Sequence, residues 1–160
     1  SNTVEPTVIV TNTATLAISP GARLVKGSGS ITLHDGAALA IPSNGTTTVS
    51  CPLFMKEGAV LAFNFSSAEG SPILDLTNLS LPESGTIAVK VTADEGVSIL
   101  SASFPAKYKL TANGQCPNDV VTGGKVVLAD GVPLWLRGIG VEDGDIYIYT
   151  RAPGLMISVR

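Results

Sequence analysis

Apolar side chains stand two residues apart along most of this chain. Val8 and Val10, Leu16 and Ile18, Ile31 and Leu33, Leu39 and Ile41, then Leu61, Phe63 and Phe65 follow one another. Gly, Pro, Asn, Ser and Asp fill the gaps between these runs. A period of two is that of a strand with one buried face, and the residues between are those that turn a chain. No stretch carries the 3.6-residue apolar period, bounded by caps, that a surface helix needs. The second half keeps the alternation at Leu74 and Leu76, at Leu79 and Leu81, and at Ile87, Val89 and Val91. Further strand candidates are 125–130, 132–139, 145–150 and 155–160. Turns are expected at 82–85 and 93–96, and "EDGD" at 142–145 reads as the turn of a hairpin.

One phrase recurs. "PGARLVK", "DGAALAI" and "EGAVLAF" place Gly21, Gly36 and Gly58 each before an Ala, with Leu24, Leu39 and Leu61 three positions after the Gly. The spacings are 15 and 22 residues. Glycine accepts the positive φ of a tight corner, the Ala suits a crowded bend, and the Leu opens an inward-pointing strand. A corner and strand repeated this way predict a coiling solenoid, with 42–56 as a protruding loop between two of its units. The competing reading is three unrelated turns of a β-sandwich. Asp130-Gly131, followed by Leu134 and Leu136, repeats the corner weakly.

The expected fold is therefore all-β: rungs of a parallel β-helix over 1–70, then strands over 71–160 that complete it and cap it with antiparallel structure, as one continuous domain. Such a cap would cover an edge that otherwise invites aggregation. Composition agrees. Charged residues are 14% and aromatics 5% of 160 residues, with 17 Gly and 10 Pro. That is turn-rich β material and an unusual mixture for an enzyme.

The remaining chemistry is sparse. Net charge is −3 with the basic residues scattered, which excludes the clustered cation patch of a nucleic-acid binder. No apolar run is long enough to span a bilayer. The leading Ser1-Asn2 resembles a scar of tag removal, so the chain is expected to be a trimmed piece of a longer protein. Cys51 and Cys116, each followed by Pro, are either the two ends of one disulfide or two buried free thiols. His34 is the single histidine. It adjoins Asp35, but neighbours on a strand point to opposite faces. With no Gly-x-Ser-x-Gly elbow and no second histidine, neither a hydrolase triad nor a zinc site is expected. Glu142, Asp143 and Asp145 match no calcium-loop spacing. Asp75, between Leu74 and Leu76, faces outward, yet no second carboxylate can be paired with it for glycan cleavage. The sequons at Asn44, Asn64 and Asn78 are expected by chance in so Ser- and Thr-rich a chain. No catalytic residue, metal or cofactor is expected. Aromatic side chains carry the one candidate binding surface. If Leu134, Leu136, Ile146 and Ile148 point inward, then Trp135, Tyr147 and Tyr149 point outward, and they either offer rings for a sugar or a protein partner or are covered by the preceding chain or a neighbouring module.

"DGAALAI", "EGAVLAFNFS" and "PILDLTNLSLPESGTIAVKVTADEG" together resemble the end of autotransporter-type passenger proteins, the bacterial surface proteins with autotransporter-associated β-strand repeats. "KYKLTANGQ", "VVLADGVPLWLRGIGVEDGDIYI" and "GLMISVR" are similar to the C-terminal tails of large proteins of that kind. The resemblance covers 30–160. It implies export to the surface or medium of a bacterium, a parallel β-helix, upstream repeats on the same polypeptide, and a stalk or adhesin role without catalysis. The alternatives are a module binding a glycan or a host surface protein and, more remotely, a polysaccharide lyase or hydrolase.

Overall fold

The computed structural model describes residues 7–24, 29–99 and 106–151. Those residues contain sixteen strands and no helix. The expected strand over 155–160 lies outside the described residues.

Thirteen of the strands lie in parallel sheets, and the chain visits three such sheets in turn. Sheet A receives β1 (Val8–Val10), β4 (Ile31–Leu33), β7 (Leu53–Met55) and β10 (Leu79–Ser80). Sheet B receives β2 (Thr15–Ala17), β5 (Ala38–Ile41), β8 (Val60–Phe65), β11 (Ile87–Ala93) and β14 (Val126–Leu128). Sheet C receives β3 (Arg23–Leu24), β6 (Gly45–Val49), β9 (Pro72–Leu76) and β13 (Thr111–Ala112). Every pairing within these sheets is parallel. A fourth, antiparallel sheet, sheet D, orders β12 (Ala106–Lys109), β16 (Asp145–Thr150) and β15 (Leu136–Glu142). Parallel additions thus continue to Leu128, well past residue 70; the antiparallel sheet takes β12 from among them and β15 and β16 after them.

Register lines up like residues. Leu16, Leu39, Leu61, Val89 and Leu128 are successive partners across sheet B. The inner three are buried, while Leu16 and Leu128 at the two ends are half-buried. Val10, Leu33 and Met55 form a comparable row in sheet A, and Val49 and Leu76 in sheet C. Parallel strands covered on both sides usually read as continuous apolar runs. Here the alternation shows that only the inner face is dry. Thr47 and Thr111, both in sheet C, are the polar exceptions: they are buried, and the Thr47 hydroxyl donates to the carbonyl of Ile18 at 3.1 Å.

The repeated glycine phrase divides. Gly36 and Gly58 both precede strands of sheet B and sit one above the other, the Gly36 amide donating to the Gly58 carbonyl. A Cβ on Gly58, whose φ is +80°, would run into the Asp35 side chain. Gly21 instead precedes β3 of sheet C, and Leu24 pairs with Val49, so the spacing of 15 joins two different corners. The glycines that share the place of Gly36 and Gly58 are Gly85 and Gly124, both with positive φ and both just ahead of a sheet-B strand. Those that share the place of Gly21, after each sheet-B strand, are Gly45, Gly70, Gly96 and Gly131. The expected loop over 42–56 is instead largely strand, β6 and β7. The run Gly45–Val49 was masked by its three threonines, of which only Thr47 is buried.

Candidate functional site

Sheet D positions the predicted aromatic surface. The hairpin over 142–145 is as the sequence predicts: Glu142 pairs with Asp145, and Asp143 and Gly144 make the turn with φ of +50° and +79°. Two left-handed residues match the twist of a two-residue hairpin. Ile146 and Ile148 are fully buried, so Tyr147 and Tyr149 face away from the core, half-buried. Trp135 does not join them. Strand β15 starts only at Leu136, and Leu134 and Trp135 lie in the turn before it. The alternation expected across 132–139 therefore fails there. Leu134 is 90% exposed, and Trp135 is buried edge-on against Phe65 at 5.4 Å between centroids. Tyr108 approaches the same Phe65 ring edge-on at 6.1 Å.

The two tyrosines are engaged. Tyr149 lies across Gly140, where a Cβ would meet the ring at 2.8 Å. The ammonium groups of Lys107 and Lys109 stand 5.1 and 5.8 Å from the Tyr147 centroid. Lys107 also pairs with Glu142, and Lys109 with Asp145 at 3.3 Å. Both ammonium groups are held above the ordinary lysine pKa, chiefly by the hydrogen bond to the carboxylate each meets. The outer face of sheet D is thus a layer of paired charges over tyrosine rings, close to neutral in sum.

Asp145 is the buried junction between this sheet and sheet C. Its Oδ1 accepts from the Gly114 amide at 2.9 Å and the Thr111 hydroxyl at 3.2 Å, and the same hydroxyl accepts the Ile146 amide. Buried carboxylates are tolerated when satisfied in this way. Cys116 is buried beside it, and burial, then the Asp145 charge, push its thiol up to about 11. Cys51 is buried at the bend between β6 and β7, its thiol also raised by burial. Both cysteines are free thiols. His34 and Asp35 occupy the turn between β4 and β5, where the His34 amide donates to Val10. Asp75 faces outward and accepts from the Asn113 amide. Asn44 closes a corner through its side chain, donating to the Ser67 and Glu69 carbonyls and accepting from the Ser66 amide.

The sequence reading missed one surface altogether. The outer face of sheet B is floored by Ala38, Ala40, Val60 and Ala62 and forms an open trough of about 490 Å³. Thr13, Thr15 and Gly36 stand at one side, Pro42, Asn64 and Thr92 at the other, and Lys90 is the single charged residue lining it. The Asn64 wall is pinned: its amide donates to the Pro42 carbonyl and to Asp94, and its oxygen accepts from the Thr92 hydroxyl. The signal was present as the intervening residues of "DGAALAI" and "EGAVLAF", small at positions where a surface strand ordinarily carries Thr, Lys or Glu.

Among the described residues no group of three or more His, Cys, Asp and Glu is placed to hold a metal ion, and no helix is long and apolar enough to cross a membrane. No family model, curated protein or solved structure matches the chain.

Proposed function

We propose that this chain is a structural module of a bacterial surface or secreted repeat protein, adhesin-like and without catalysis, built as a parallel β-helix with an antiparallel cap. The observation that carries the reading is the order in which strands join the sheets. From β1 to β9 each set of three adds one strand to sheets A, B and C in the same sequence. A chain winding round three faces deposits strands in that order, and its inner rows become a continuous apolar stack. The ends differ. At one end β1, β2 and β3 are the edge strands of their sheets among the described residues, and Val8 and Ile9 are exposed. Toward the other end Leu136, Ile146 and Ile148 of sheet D, with Trp135 from the turn before it, belong to the buried core cluster. That asymmetry suits a terminal piece whose open end receives a further rung, supplied by upstream repeats of the same polypeptide.

The test is where the protein resides. An antibody raised to this chain, applied to intact cells of the source bacterium before and after external protease, should lose its signal on shaving or find it in the medium. A signal that resists protease until the cells are lysed would overturn the surface assignment.

A further inference from the structure

The trough on the outer face of sheet B has no part in the structural role above. Its floor residues lie in registered rows across neighbouring strands: Ala38 beside Val60, Ala40 beside Ala62. Neighbouring strands are about 4.8 Å apart, so the four strands β2, β5, β8 and β11 give a trough about 14 Å long across the sheet. Small side chains make that floor flat and let a ligand approach the sheet closely. The outward faces of the other sheets are rougher, with Ile9 and Phe54 on sheet A and Ile73 and Asp75 on sheet C.

The rim decides what fits. Lys90 has no ion pair or hydrogen bond among the described residues, and the hydroxyls of Thr13 and Thr15 are likewise unspent. No acid lines the trough, although the chain as a whole carries −3. An apolar helix laid here would cover an ammonium and two hydroxyls and pair none of them, which is costly. A polymer bearing hydroxyls and carboxylates pairs all three and still sets its C–H faces against the alanine methyls. We propose that the outer face of sheet B binds an extended acidic polysaccharide, with Lys90 as the carboxylate contact and the alanine rows as the floor. The pinned Asn64 wall means the site is largely formed before binding, so little ordering cost opposes it.

The experiment is affinity electrophoresis and calorimetry with polygalacturonate, a linear polyuronate, against uncharged dextran. Polygalacturonate should retard the protein and dextran should not. Lys90→Gln should weaken binding about tenfold, the worth of one charge-assisted contact. Ala62→Trp, which fills the trough, should abolish it. Lys56→Gln, an exposed lysine outside the trough, should leave it unchanged. Lys90 is exposed, so its variant keeps the fold, and unfolding curves verify this for both trough variants. Absence of retardation, or equal weakening by Lys56→Gln and Lys90→Gln, would overturn the proposal.

Discussion

At Cys116 a single side chain links burial to pH. Its thiol rises from the ordinary 9.0 to about 11 because the core and the Asp145 charge both disfavour a thiolate. The folded chain therefore holds this proton more tightly than the unfolded chain does. The associated stability is fully present below about pH 9 and is lost as pH climbs through about 11. Urea midpoints measured from pH 8 to 11 should fall more steeply for the wild-type protein than for Cys116→Ala, and parallel slopes would show that another group governs the decline. The same residue illustrates what a sequence withholds. The inward places of Leu136, Ile146 and Ile148 are legible, but that of Trp135 is not, because Leu134 and Trp135 lie in the turn ahead of β15, where Leu134 goes outward and Trp135 inward. Equally, Cys51 and Cys116 could be recognised as buried, whereas whether they meet depends on the path of the chain between them.

Among elements, the corners govern. The strands were legible wherever Leu, Ile, Val or Phe alternated, since burial on one face is a purely local pattern. Strands β6, β7, β12 and β13 were not, because they are short or threonine-rich and exist through partners far along the chain, Leu53 on Ile31 and Thr111 on Leu74. The glycine phrase was read as one corner used three times, and the fold uses two corners, each marked by its own column of positive-φ glycines. Gly85 and Gly124 belong to the first column without the Ala-x-Leu that made Gly36 and Gly58 conspicuous. Stacking makes these positions unequal in sensitivity. Gly58→Ala places a methyl against Asp35 as well as forcing an L-residue into the left-handed region, whereas Gly96→Ala meets nothing within 4 Å. Chemical denaturation should show a loss of about 1 kcal/mol for Gly96→Ala and roughly twice that for Gly58→Ala. Adding Asp35→Ala to Gly58→Ala should recover the excess, as expected of neighbours that couple. Equal losses at the two glycines would mean that the contact is relieved without cost.

For the whole molecule, the winding reading has a direct consequence. Ile31 and Leu53 are register partners, so residues 31–52 amount to one complete set of three strands. Inserting a second copy of 31–52 before Leu53 should yield a protein that still unfolds in one transition. Its urea m-value should be larger, in proportion to the added buried surface. Loss of cooperative unfolding would mean that the three sheets do not repeat as one unit. The unequal ends have a further, mechanical meaning. If the three parallel sheets wind as one β-helix, as proposed above, the hydrogen bonds between successive sets point along the direction in which the sets stack. A load applied between the open end and sheet D therefore pulls these bonds apart a set at a time, beginning with β1, β2 and β3, whose inner neighbours alone hold them. Each release frees a little over twenty residues, about 80 Å of slack. A molecule tethered at its covered end would yield to tension in even increments, like a coil of rope paying out.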